Sequence, residues 1–439
     1  MKKLMLFSRT FLNLWQRSKL FRGASLLTAC LLSSLLVAVS AISQPVVLTF
    51  LMNAPEVEPL RPIIQEFEQR NPGIHLNMVE GPLASNLIED LNTSAFLLGD
   101  SPYDLINLDV TWTSKFAAAG WLKDLSSLIS DVELTSFLPA DIDGGRYNGK
   151  LYRLPWRTDA GILYYRKDLL EQAKLQPPET FTDLVKAATL LQKKNAVQWG
   201  YVWQGRQYEG VVAMFMEVLQ GHHGFWVNTV TKEVGLDQPQ AIAALQFLVN
   251  TIQQGISPSG VITYQEDEPR RLFQSGNTLL MRNWPYAWTL LNAEDSPVKG
   301  KVGIKPMVHA PSFDSAACLG GWGWGISSTT KHPQEAWKAV QFLTSEVAQR
   351  QVVLNTGYLP SRRALYSDPQ ILEKYSFFPL MLQVLGNAVL RPPIAQYAQT
   401  SDILQRYLSA ALSGRMSSEA AMQAAATETR SLLNSSNKV

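Results

Sequence analysis

The sequence predicts an α/β protein built as two lobes, and three observations carry that expectation. Short apolar runs of strand character alternate with helix-periodic segments along the body of the chain. The chain has 439 residues, 46% hydrophobic and 17% charged, which suits two or more domains. No internal period of the length of a solenoid repeat appears.

The elements follow in order. VVLTFLMN (46–53) is a short apolar run of strand type. PLRPIIQEFEQRNPG then sets Leu60, Ile63, Ile64 and Phe67 at helical spacing. Pro62 is tolerable in a first turn, and Asn71-Pro72-Gly73 stops the helix. IHLNMVE alternates Ile74, Leu76 and Met78 with polar residues, as a second strand would. A helical stretch over 86–98 and the strand YDLINLD (103–109) come next. Strand–helix–strand–helix–strand calls for parallel pairing through right-handed crossovers. Ligands of such sheets lie beyond the carboxyl ends of the strands. Those ends carry Asn53, Glu80 and Asp109, with Glu56 and Glu58 just past the first and Trp112 past the third. Each alone reads equally well as loop or cap polarity.

The later chain has the same texture. FTDLVKAATLLQKKN places Phe181, Leu184, Val185, Ala188 and Leu191 on one helical face, behind a Thr180 or Thr182 cap. YEGVVAMFMEVLQG and AIAALQFLVNTIQQG are apolar helices, and NTLLMRNWPYAW (277–288) is a strand entering an aromatic turn. LGGWGWGISS (319–328) joins four glycines to Trp322 and Trp324, and is the expected hinge. Its spacing is not a dinucleotide fingerprint. PQEAWKAVQFLTSEVAQRQV is an amphipathic helix, and the final forty residues are Ala-rich and helical.

The first 44 residues read as an export segment. Lys2, Lys3, Arg9, Arg17, Lys19 and Arg22 precede an apolar stretch from Gly23 to Ile42, and no acid occurs before Glu56. Three fates fit: cleavage near Ala41, lipidation of Cys30 in LTAC, or retention as a membrane anchor. All three deliver the body, from Pro45 onward, to the periplasm or the outer face of the cytoplasmic membrane.

Several function classes are set aside. The net charge is +2 with no basic block in the body, so nucleic acid is not an expected partner. Cys318 is the body's only cysteine, a small buried residue rather than half of a disulfide. His222 and His223 are adjacent and the other histidines scattered, against zinc; DIDGG (141–145) lacks the rest of a calcium loop. No cofactor or metal is expected, and there is no P-loop.

In LPWRTDAGILYYRKDLL (154–170), Asp159 stands just before a run that reads as a buried strand. A turn cap or a partner for Arg157 would explain it structurally. Six stretches in order suggest more: INLDVTWTSKFAAAGWLKDL (106–125), YRLPWRTDAGILYYRKDLL (152–170), YVWQGRQYEGVVAMFMEVL (201–219), LLMRNWPYAW (279–288), GGWGWGISSTTKHPQEAWKAVQFL (320–343) and RPPIAQYAQTSDILQRYLSAALSGRMSSEAAM (391–422). Over about residues 46–433 the chain resembles the maltose-binding-protein-like group of ABC-transporter solute-binding proteins, with its trehalose/maltose branch as the nearest likeness.

The resemblance implies a two-lobed periplasmic-binding-protein fold, each lobe a mostly parallel sheet flanked by helices. One lobe would comprise 45–155 with 325–360, the other 156–324 with 361–439. It implies a sugar held between them by hinge closure, a monomer, ABC permease subunits as partners, and no enzymatic activity. Asp159 and Asp109 would accept hydrogen bonds from sugar hydroxyls, with Glu58 joining from the first loop. Tyr208 and Glu209 would touch the ligand from the second lobe. Trp284 and Trp322 would supply stacking platforms, and Arg391 a forked donor. The sequence departs from the branch at GPLASNLIED (81–90), which offers no basic residue; Ser85 or Asn86 stands there instead. Trehalose, maltose, sucrose and glucosylglycerol therefore all remain candidates. Two other readings fit parts of the pattern: a secreted glycoside hydrolase, which needs two carboxylates paired across a bond, and a periplasmic sugar receptor for a signalling partner.

Overall fold

The computed structural model describes residues 45–82 and 84–436, so the export segment and Cys30 lie outside the described residues. Twelve strands occur in chain order among the described residues: β1 Val46–Asn53, β2 Ile74–Gly81, β3 Leu105–Asp109, β4 Arg146–Tyr147, β5 Lys150–Leu151, β6 Leu154–Ala160, β7 Ile162–Arg166, β8 Trp199–Val202, β9 Thr278–Asn283, β10 Val302–Lys305, β11 Leu319–Ile326 and β12 Leu359–Pro360. No described helix is long and apolar enough to cross a membrane.

The first lobe begins with the expected strand, helix and strand, except that the helix starts at Ala54, five residues before the periodic segment that opens at Pro59, so Pro62 lies inside it rather than in its first turn. β1 and β2 pair in parallel around the helix Ala54–Arg70, a βαβ unit. β3 lies beside β1: the Asp104 N–H donates to the Thr49 carbonyl at 2.7 Å, and the Thr49 N–H returns a bond to the Asp104 carboxylate at 2.9 Å. A four-stranded sheet continues in the order β12-β6-β11-β3. The second lobe is built on a sheet of order β10-β7-β9-β8. Its two faces are covered separately: Leu163 points into one core with Tyr201 and Leu279, and Ile162 and Tyr164 into another with Val202 and Met281. That alternation is what a strand buried on both sides requires.

The two-lobed α/β architecture is the predicted one, but the sheets are mixed rather than mostly parallel. Among the paired strands of the described residues, β1–β2 and β8–β9 run parallel and the other pairs antiparallel. The strands that carry chain between the lobes enter each sheet from the other side. β11 is therefore antiparallel to both β3 and β6.

The expected hinge, LGGWGWGISS, is not a loose loop. Its first eight residues are β11, buried along their whole length and hydrogen-bonded on both edges. Its glycines serve close approach. A Cβ on Gly323 would enter the Arg153 side chain, and one on Gly321 (φ +128°) would lie 2.7 Å from the Arg157 carbonyl oxygen. Phe50 packs edge-on against Trp324 at 5.1 Å, so the tryptophans of this strand fill the volume its glycines leave. The chain changes sheet again at Gly161, the single residue between β6 and β7.

One buried charge sits under this crossing. Asp141 is fully buried, and its carboxylate oxygens complete no hydrogen bond within ordinary limits. Burial pushes its carboxyl up to about 7, against the pull of the neighbouring Arg153 guanidinium and Thr158 hydroxyl. A pKa raised above the unfolded value means the folded state prefers the proton. The associated stability is present below about pH 4 and is lost as pH rises through about 7. Asp141→Asn should therefore gain on the wild type by roughly 2 to 3 kcal/mol between pH 5 and pH 8. Melting curves at the two pH values check this, and an equal offset at both contradicts it.

Candidate functional site

A cleft of about 610 Å³ opens between the two sheets, over the crossing strands. Its floor is set by strand register. Gly320 pairs with Asp159 and Trp322 with Arg157, so the end of β6 and the start of β11 present their side chains side by side. Asn53 reaches in from the end of β1, Glu56 from the first turn of the helix after it, and Asp109 from the end of β3. Across the gap stand Tyr208 and Glu209, at the start of the helix Glu209–Gly221, then Glu266, Trp284 and Arg391.

Asp159 does not stand alone in apolar surroundings. The Arg157 guanidinium donates to Asp159 and to Glu56 at once, joining the crossing strand to the first lobe's helix. It also lies over Tyr358 at 4.9 Å and Trp322 at 5.8 Å. Burial lifts the Asp159 carboxyl to about 6; Arg157 draws it down, while Glu56 and Asp109 push it up. Burial likewise raises Glu56, again opposed by Arg157. Burial alone would lower the Arg157 guanidinium, but its two carboxylates hold it above its ordinary value.

A second guanidinium ties the two sides. Arg391 is 5% exposed and donates to Glu209 at 2.6 Å, with Asp109 at 3.7 Å. Glu209 also accepts from the Tyr397 hydroxyl and, at 2.6 Å, from the Ser401 hydroxyl. Asp109 is held by Thr111, whose N–H and hydroxyl both donate to it, at 3.0 and 2.9 Å.

Two indoles border the opening. Trp322 packs edge-on against Trp112 at 5.2 Å. Trp284 follows β9, with its edge toward Gly320. A Cβ on Gly320 would come within 3.3 Å of that ring and 3.2 Å of the Asp159 Cβ, so this glycine keeps the space between acid and indole open. Tyr208 donates to Glu266 at 2.8 Å, and burial raises the Glu266 carboxyl.

Seven of the eight residues expected from sequence line this cleft: Asp109, Asp159, Tyr208, Glu209, Trp284, Trp322 and Arg391. Glu58 does not. Its side chain is 79% exposed and pairs with Arg61. The helix begins at Ala54, so a two-residue step turns Glu58 away and leaves Glu56 facing the cleft. Glu80 is exposed and lies outside the lining as well, whereas Ser85 is part of it. Sequence reasoning missed Arg157 as the common partner of two carboxylates, because Glu56 lies 101 residues away along the chain. It missed Glu266 entirely; QEDEPRR carries no signal beyond polarity.

The chain was compared with known proteins. The family model for bacterial extracellular solute-binding proteins matches residues 53–350. A Deinococcus radiodurans protein described as a probable ABC transporter-binding protein is 35% identical over 310 residues, 69% of this chain and 73% of that relative. The maltose-bound structure of T. maritima MalE3 is 39% identical with a TM-score of 0.83, covering 88% of this chain and all of that one. An ABC transporter solute-binding protein from Thermotoga lettingae, bound with α-D-tagatose, is 26% identical with a TM-score of 0.79 and spans 88% of this chain and all of that one.

Arg157 offers a direct test of the site's internal balance. Arg157→Met strands two buried carboxylates and should cost about 3–5 kcal/mol at pH 8. The loss should shrink at pH 5, below the raised value of about 6 for Asp159, where that carboxyl takes up a proton. Thermal unfolding at both pH values measures it; an unchanged midpoint at both would show that the pairing does not hold the floor together.

Proposed function

The chain belongs to the bacterial extracellular solute-binding proteins, and on that premise we propose that it is the substrate-binding subunit of an ABC importer for sugars or polyols. The observation that carries the chemistry is that both arginines at the cleft floor are already engaged by carboxylates. Glu56 and Asp159 share Arg157, while Glu209 and Asp109 flank Arg391, so each floor guanidinium is already taken up by two carboxylates and the four acids keep acceptor lone pairs to spare. What remains on offer is a set of oriented hydrogen-bonding atoms and two flat indole faces. A neutral polyhydroxyl molecule uses both, with hydroxyls on its rim and C–H groups on its faces.

Within that class we favour an α-glucoside or related compatible solute: trehalose, maltose, sucrose or glucosylglycerol. The T. maritima relative holds maltose, which supports this choice. The cleft volume of about 610 Å³ lies in the range of small-molecule sites. Asp109 and Asp159 would accept from sugar hydroxyls, and a charged acceptor makes the stronger bond in a closed site. Trp284 and Trp322 would cover the apolar ring faces. Arg391 and Tyr208 would donate, and Glu209 would hold Arg391 in place. Two lobes, 45–155 with 325–360 and 156–324 with 361–439, would close over the solute. A monomer in the closed state would then be read by membrane permease subunits outside the cytoplasm, with ATP hydrolysis left to other chains.

Calorimetric titration against trehalose, maltose, sucrose, glucosylglycerol and a series of polyols tests the reading. One solute should bind, and no monosaccharide should be released on incubation. A body that binds none of them, or that splits one, overturns it. Asp159→Asn and Trp284→Ala should each weaken binding at least about tenfold, the size of one charge-assisted hydrogen bond or one stacked face. Because the Asp159 carboxyl lies at about 6, affinity should also fall as pH drops from 7.5 to 5. Titrations in matched buffers read that slope, and a flat profile removes Asp159 from the set of acceptors.

A further inference from the structure

The most deeply buried ion pair among the described residues is not part of the cleft lining, yet it stands directly behind one of the cleft walls. Arg282 and Glu217 are both 0% exposed. Glu217 accepts from Arg282 twice, Nε to Oε2 at 2.7 Å and the second nitrogen to Oε1, while Gln204 Oε1 accepts a third bond at 3.3 Å. A pair so fully removed from water is expensive, and apolar replacements of like volume are often as stable. Stability alone therefore gives little reason for these two residues here.

Their surroundings point to another role. The Arg282 guanidinium carbon lies 4.0 Å from the centroid of the Trp284 ring. A planar guanidinium fixed by a fork to a carboxylate presents a flat, immobile face, and an indole stacks on it well. The main chain of Trp284 is secured separately. Its N–H donates to Asn283 Oδ1 at 2.8 Å, and its carbonyl accepts from the Tyr164 hydroxyl at 2.9 Å. Backbone and ring plane thus have independent supports. Space for the pair is cleared at the lobe crossing: a Cβ on Gly161 would strike both the Glu217 carboxylate and Arg282. The Cys318 N–H, just ahead of β11, also donates to Glu217 at 3.4 Å.

We propose that Arg282, clamped by Glu217, is a positioning residue of the cleft: its guanidinium stacks behind Trp284 and presets the indole as a platform for the apolar face of a bound sugar. This rests on the reading of Trp284 as a ligand platform. A ring already held in its bound orientation gives up no rotamer freedom when ligand arrives. Arg282 acts only through Trp284 and touches no solute.

Two variants separate this role from general scaffolding. Arg282→Lys keeps a cation on Glu217 but loses the flat face. The double replacement Arg282→Met with Glu217→Leu removes both charges and strands neither. Each is titrated with whichever of trehalose, maltose, sucrose, glucosylglycerol or the polyols binds the wild type, with Trp284 present and in a Trp284→Ala background. With Trp284 present, both should bind about tenfold more weakly; without it, they should lose nothing further. Undiminished affinity with Trp284 present overturns the proposal, and so does an equal loss in both backgrounds. A ligand-free readout stands beside this. In protein labelled with 5-fluorotryptophan, the Trp284 ¹⁹F line, assigned by Trp284→Phe, should broaden or split in Arg282→Lys. An unaltered line also overturns the proposal, whereas a wild type that binds no sugar overturns the functional reading instead.

Discussion

A single guanidinium carries the geometry of the cleft floor. Arg157 sits on a crossing strand, and its fork grips Asp159 on the same strand and Glu56 on the first lobe's helix. Three charged groups in a volume nearly shut off from water are tolerable only as a set. Their mutual attraction fixes the directions of two carboxylates, so the cleft presents acceptors whose positions are decided before any ligand arrives. Arg391 repeats the device at the other wall, between Glu209 and Asp109. In each case one cation links acids from distant parts of the chain.

The glycines around these pairs follow from the need for closeness. β11 threads between β3 and β6 with Trp322 and Trp324 projecting from it, and neighbouring backbone must approach to a distance no Cβ permits. Gly320 keeps the gap between Asp159 and Trp284, and Gly161 admits the Arg282–Glu217 pair beneath the crossing. A stretch that reads as flexible is rigid because each absent side chain is replaced by a neighbour's. The same exchange of glycine against aromatic bulk places the indoles at the cleft.

Recognition of a neutral solute is consistent with this economy of charge. With both floor guanidinia already shared between two carboxylates each, an anionic ligand would have to displace an acid from a settled pair. A polyhydroxyl molecule disturbs none, since it donates into carboxylate lone pairs left over by the arginines and covers the indole faces. The cleft's acids are strong acceptors because they are shielded from water and held in place by their arginines.

Much of this was legible in the sequence. The helix and strand periods gave the α/β alternation, the order of six motifs gave two lobes, and seven cleft residues were identifiable from local wording such as RTDAG and NWPY. These are short-range properties: periodicity and motif sit within a few residues, and one chain displays them directly. Glu58 was misplaced for a reason of phase: the helix already begins at Ala54, so Glu56 and Glu58, two residues apart on it, face opposite ways. Strand direction, the rigidity of β11, and the sharing of Arg157, Arg391 and Arg282 among distant acids belong to the tertiary structure alone. They arise from contacts across separations such as 101, 182 and 65 residues, where no local pattern records which partner the chain will meet.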